Sequence, residues 1–161
     1  MAIFQRAGWR RNRRVQVDPS VPLEHPAWAV LEGFGGLRVG AGERGEECGA
    51  SDVEFLHLLP EIPEVAILES LAGSPLVGIA WIGSRHGELY MDCVGRLFGV
   101  SLMHDACWLA GENFAEAMTG LLLGHLPRPI LLPGQSEVDL YGIKFLADDP
   151  RVYPVGPAGA H

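Results

Sequence analysis

His104-Asp105-Ala106-Cys107 sets an imidazole, a carboxylate and a thiol within four positions, the stretch of this chain best equipped for nucleophilic chemistry. A working set of that kind would make the protein a small cysteine-dependent hydrolase. Sequence neighbours rarely converge on one centre, however, because such sites are assembled across a fold. On a strand, His104 and Asp105 would face opposite sides. The stretch therefore reads as a loop between strand and helix, with Cys107 packed inside. As metal ligands, His104 and Cys107 supply half a site, and no second pair has ligand spacing. Asp92 is another candidate carboxylate, but it opens the tight turn Asp92-Cys93-Val94-Gly95, where an aspartate bonds its own backbone two residues on. It reads as structural.

The remaining reactive side chains are equally plain. Cys48, Cys93 and Cys107 form an odd set without C-x-x-C spacing. They read as reduced thiols of a cytoplasmic protein, two of them buried. His25 precedes a proline at the start of a helix, and His57 reads as packed or paired. Trp9, Trp28, Trp81 and Trp108 could stack on bases, yet each lies in or beside an apolar run and is read as core. No motif calls for a cofactor or metal.

Charge is distributed unevenly. The chain carries 12 basic and 20 acidic residues, net −8. Arg6, Arg10, Arg11, Arg13 and Arg14 place five of the basic residues in the first fourteen positions, leaving a net of −13 from Val15 onward. An arginine cluster can serve as a nucleic-acid arm. Here the body behind it would repel phosphate, so pairing with the acidic body is the better reading. An acidic body suits a basic protein partner, and no nucleic acid or membrane is expected.

The elements that must position these groups follow from pattern. A chain of 161 residues, 48% hydrophobic and 20% charged, is sized for one domain with a real core and is too apolar for disorder. No stretch approaches the roughly 18 uncharged apolar residues of a membrane span. The first segment meets its arginines too early for a signal peptide. Pro26 and the i, i+3, i+4 spacing of Trp28, Leu31 and Phe34 predict a helix, closed by left-handed Gly35 and Gly36. Leu37–Val39 begins a strand. Residues 53–59 read as a strand or helix opening, and 64–71 as a helix stopped at Gly73-Ser74-Pro75. Runs 76–82, 88–91 and 96–103, joined by short glycine-containing links, predict antiparallel hairpins. Asn113 with Glu116 begins the clearest helix, whose apolar face is Phe114, Met118, Leu121 and Leu122, closed by Gly124. Residues 125–161 form a proline-rich extension with a last short strand at 143–146 and a frayed GPAGAH end. Without βαβ alternation, this order predicts an α+β domain: an antiparallel sheet with helices packed on one face.

Several of these segments resemble the SUKH superfamily, and most closely its third subfamily of bacterial immunity proteins. The resemblance rests on Gly8-Trp9 leading to Arg13 or Arg14, and on Phe34-Gly35-Gly36-Leu37 after an apolar helix. It rests also on Asp92 followed by Gly95-Arg96 and Phe98, and on a late helix ending Leu122-Leu123-Gly124. It covers about residues 7–124. Cys93-Val94 departs from the polar turn usual there. The resemblance implies a SUKH-like α+β binding protein without catalytic residues, which protects a bacterium by binding a toxin domain, often a nuclease or nucleic-acid deaminase. A regulatory adaptor of the same fold is the alternative, since fold alone does not fix function.

The glycine-rich acidic segment after the first strand, GAGERGEECGAS, lacks the G-x-x-x-x-G-K-S/T pattern of a phosphate cradle. Glu43, Glu46, Glu47 and Asp52 lie in a stretch that cannot build core and is flexible enough to fit a partner. They are the expected partner-binding residues.

Overall fold

The computed structural model describes residues 2–155. The GPAGAH end lies outside them. Helix α1 (Ala2–Arg6) opens the chain, and α2 (Pro26–Phe34) follows a long irregular stretch. The backbone at His25 is extended, and its Nδ1 accepts the Ala27 N–H at 3.1 Å, so a histidine takes the capping role more often filled by serine or aspartate. Pro26 occupies the first turn as expected. The other end departs from expectation in part: Gly35 is extended, with φ −48° and ψ 132°, and Gly36 alone takes a left-handed φ of 82°. Gly35 is needed for space instead, because a Cβ there would lie 2.5 Å from the Leu31 carbonyl oxygen.

The chain then folds as a meander. Strands β1 (Arg38–Val39), β2 (Val53–Leu58), β3 (Val77–Ile82), β4 (Gly87–Met91), β5 (Leu97–Ser101), β6 (Cys107–Gly111) and β7 (Arg128–Ile130) form one seven-stranded sheet in sequence order, each antiparallel to its neighbour. Helix α3 (Pro63–Ala72) lies between β2 and β3 and ends at left-handed Gly73, while α4 (Phe114–Leu123) lies between β6 and β7. The α4 N-terminus is capped as its sequence implies, with Asn113 Oδ1 accepting the Glu116 N–H at 3.0 Å. A separate hairpin, β8 (Glu137–Leu140) with β9 (Ile143–Leu146), follows.

Strand β6 corrects the reading of 104–107 as a loop between strand and helix. Cys107, Trp108 and Leu109 are all buried because both sheet faces are covered, so the polar–apolar alternation that reveals a strand is missing. Leu89, Met91, Leu97 and Trp108 face the layer containing α1, α2 and α4. Leu31, Met118 and Leu121 are buried there, and Trp28, Phe34, Phe114 and Leu122 pack half-buried around them. Phe34 centres an aromatic cluster, with ring centroids 5.3, 5.4 and 5.2 Å from Phe4, Phe55 and Phe114. The α+β class holds, but helix α3 covers the opposite face instead of sharing the expected single one, because that face is also apolar: Val65 and Leu68 pack there with Tyr90, Phe98, Cys107 and Leu109.

Residues between 125 and 155 also contribute to this core. Val138, Leu140 and Phe145 join the first layer, and Tyr153 joins the second. Of the cysteines, only Cys107 is buried; Cys48 is half-buried and Cys93 exposed, so the expectation of two buried thiols fails.

Candidate partner-binding site

The acidic segment is less adaptable than its glycines imply. Its backbone crosses the C-terminus of α4 and supplies donors to carbonyls that a helix end leaves unpaired. Glu46 N–H donates to Leu123 O at 2.8 Å, and both Glu47 and Cys48 N–H donate to Gly124 O at 2.9 Å. Ser51 N–H donates to Leu121 O at 2.8 Å. The crossing requires glycine on both sides: a Cβ on Gly45 would lie 2.5 Å from the Gly124 Cα, and one on Gly124 2.6 Å from the Gly45 Cα. The loop is therefore the cap of a helix as well as a charged surface.

Its four acids separate into two kinds. Glu43, Glu46 and Glu47 are exposed. The Glu46 carboxylate meets His125 Nε2 at 3.0 Å, and Glu47 accepts the Leu126 N–H at 2.7 Å. Both sit at the end of α4 that carries the negative pole of the helix dipole, so charge and dipole add. Asp52 is different. It is 3% exposed, accepts Arg38 Nε at 2.9 Å and accepts the Ser84 N–H at 2.7 Å. It anchors the β3–β4 turn rather than facing solvent, so it leaves the set of surface acids. The partners that reveal this, Arg38 and Ser84, lie 14 and 32 residues away and carry no local signal.

Comparison with known proteins settles the family. The SUKH-3 immunity protein family model matches residues 1–124. The chain belongs to this family. No curated protein and no solved structure matches it.

The residues that carry the SUKH-3 resemblance hold the fold together. The Arg13 guanidinium donates to the Gly33 and Gly35 carbonyls at 3.1 and 2.7 Å, closing the C-terminus of α2, and Trp9 stacks on Phe34 with centroids 6.2 Å apart. Arg14 pairs with Glu32. Of the five N-terminal arginines, Arg14 thus meets an acid of the body and Arg13 its main-chain carbonyls. Asp92 is fully buried and accepts the Val94 and Arg96 N–H groups at 3.1 and 2.8 Å, with Arg96 Nε at 2.7 Å. Burial opposes the Arg96 charge, but hydrogen bonds from it to Asp92 and Tyr153 hold its pKa above the ordinary value.

The thiol–imidazole set does not come together. Cys107 faces the α3 layer, and burial, with Glu64 and Asp105 adding to it, pushes its pKa up to about 12. The thiol is therefore protonated at neutral pH. The His104 ring is engaged by Ser101 Oγ at 3.1 Å and the Asp139 carbonyl at 3.0 Å. Among the described residues, no group of three His, Cys, Asp or Glu side chains is placed to hold a metal, and no helix is long and apolar enough to cross a membrane.

Proposed function

We propose that this protein neutralises a cognate toxin domain by direct, non-covalent binding in the cytoplasm, with no catalytic step of its own. The match to the SUKH-3 immunity protein family over residues 1–124 carries the reading. The physical reason follows from charge. A nuclease or nucleic-acid deaminase holds phosphate on a basic surface, and the net of −13 beyond Val15 opposes such a surface with the complementary sign. Complementary fields speed encounter and disfavour wrong partners. Glu43, Glu46 and Glu47, held at the negative end of α4, form part of the docking face. The test is co-expression with candidate toxin domains identified in the genes neighbouring this one. Growth should be restored, and the two purified chains should form a complex whose toxin activity is blocked. Growth arrest unchanged by this chain at equal expression overturns the proposal.

A further inference from the structure

The β8–β9 hairpin lies beyond the residues that match the SUKH-3 family and forms a sheet of its own. Its two-residue turn places Tyr141 and Gly142 at left-handed φ values of 52° and 75°, the form whose twist suits a hairpin. The Ala147 N–H donates to Ser136 O at 3.1 Å, and Val138 lies opposite Phe145, with Asp139 opposite Lys144. Hydrogen-bonded and non-bonded pairs alternate along an antiparallel ladder. Counting back from Ala147, Phe145 and Ile143 bond β8, whereas Lys144 and Leu146 turn their backbone groups away from it. The same alternation turns the Asp139 carbonyl outward on β8, where His104 Nε2 meets it at 3.0 Å, so that side of the hairpin is covered. The β9 side is not. Leu146 O is taken up by the Asp149 N–H at 3.0 Å, but the Lys144 N–H, the Lys144 carbonyl and the Leu146 N–H have no hydrogen-bond partner among the described residues.

Folded proteins usually guard such edges. The seven-stranded sheet does so at both ends. Its β1 is two residues long. Its β7 has three residues, and Pro129 there lacks an N–H and has its carbonyl occupied by the Tyr153 N–H at 2.8 Å. Strand β9 has four residues and no proline, and its Ile143 and Leu146 are 36% and 51% exposed. A lysine is a common guard of an open edge. Here the Lys144 ammonium is held at 2.7 Å by Glu137 on β8, away from the open side.

We propose that β9 receives an extended, basic segment of the toxin domain as an added strand, joined main chain to main chain. The unpartnered groups, two donors and an acceptor on alternate residues, are those that an extended backbone satisfies. Charge then selects the occupant. Between residues 137 and 148, Glu137, Asp139 and Asp148 stand against a single base, Lys144, which Glu137 already pairs. Asp139 and Asp148, both exposed, leave the edge negative. A second copy of this chain would bring the same sign, whereas a basic segment complements it. The hairpin tip also adjoins the acidic loop. Tyr141, Cys48 and His125 border one cavity of about 140 Å³, and His125 meets Glu46. One basic partner can therefore touch both.

The inference rests on the toxin-binding reading, and the experiments separate their failures. Amide exchange is followed on the full chain, alone and with the toxin domain that co-expression identifies. In the free chain the Lys144 and Leu146 amides should exchange about tenfold or more faster than Phe145, and in the complex they should slow by a similar factor. Leu146→Pro removes an outward donor and should weaken the complex about tenfold or more, while Leu146→Ala, which keeps the N–H, should stay within about threefold of the parent. A toxin complex that leaves both amides unprotected, or that loses no more with proline than with alanine, overturns the strand assignment and leaves toxin binding intact. If the proline variant does not fold, the exchange pattern decides alone. Protection in the free chain that grows with its concentration would put a second copy on the edge and overturn the assignment too. If no neighbouring toxin domain binds the parental chain, the immunity reading fails, and a displayed library of linear peptides decides the edge. Selected peptides should be rich in lysine and arginine and should protect Lys144 and Leu146. Peptides that leave those amides exposed, or none selected, overturn the inference.

Discussion

Asp92 and Asp52 are both buried aspartates that pair with an arginine and hold a turn, yet they work over different distances and at different depths. Asp92 bonds the backbone of its own turn and the Arg96 side chain four residues on. Arg96 is itself enclosed, its side chain 7% exposed, and it reaches the Ala72 carbonyl and the Tyr153 hydroxyl, both at 3.4 Å. Asp52 instead joins β1 to the β3–β4 turn, and its partner Arg38 is 61% exposed. The difference lies in what each arginine can do when its carboxylate is gone. Arg38 can turn to water, and Arg96 cannot.

The largest effect should therefore follow Asp92→Ala. Removing one member of an enclosed pair leaves a buried, uncompensated charge and costs about 3–5 kcal/mol. Asp52→Ala should cost less, about 1–3 kcal/mol, because the main loss is an acceptor for the Ser84 N–H. Urea unfolding midpoints of the two variants test the comparison directly. Equal losses would mean that Arg38 gains nothing from solvent and that exposure does not distinguish the two sites. Amide exchange sharpens it: Asp52→Ala should speed exchange at Ser84, 32 residues away, while Asp92→Ala should act first on Val94 and Arg96.

The same contrast explains what could be read from the sequence. The Asp92 turn was legible because its hydrogen bonds span two and four residues, and so were the caps at Asn113 and Pro26. Three of the four acids were placed on the surface correctly, whereas Asp52 was not, since its partners are distant in the chain. Strand β6 was hidden by burial on both faces. The role of the acidic loop as a cap on α4 was hidden too, because backbone donors carry no side-chain signature. Only Gly45 and Gly124, whose backbones touch, hinted at it. The open edge of β9 was hidden likewise: a strand was legible at 143–146, but which of its backbone groups face outward depends on the pairing register. What the family resemblance records, in Arg13, Asp92 and Arg96, is mostly the fold.

A third prediction concerns a cap that titrates. His25 Nδ1 must be unprotonated to accept the Ala27 N–H, and burial lowers the His25 pKa below its ordinary 6.5. The unfolded chain then binds the proton more readily than the folded one. The contribution is complete above about pH 6.5 and is lost as the pH falls toward the folded value. The effect is limited to about 1 kcal/mol, the usual worth of a cap. His25→Asn keeps an acceptor that does not titrate. Thermal melts between pH 5 and 7 should show the parental protein losing more stability on acidification than the variant. Parallel curves would show that His25 does not couple the helix to pH.

The smallest effect on stability, and the sharpest division between the loop's two kinds of acid, should come from neutralising Glu43, Glu46 and Glu47 together while leaving Asp52 in place. Glutamine at 47 still accepts the Leu126 N–H, and glutamine at 46 still reaches His125. The loop's hold on α4 runs through backbone groups that the change does not touch. Folding stability should therefore move by no more than about 0.5 kcal/mol. Binding to the toxin domain should respond differently, because exposed charges act on encounter. Association should slow, with dissociation little changed. The deficit should shrink as salt rises and the Debye length falls from about 10 Å at 0.1 M to about 3 Å at 1 M. Stopped-flow association at both salts measures this. An association rate equal to that of the parental protein at low salt would move the docking face away from the α4 terminus. A large loss of stability would instead mean that the carboxylates themselves hold the loop, and the distinction from Asp52 would collapse.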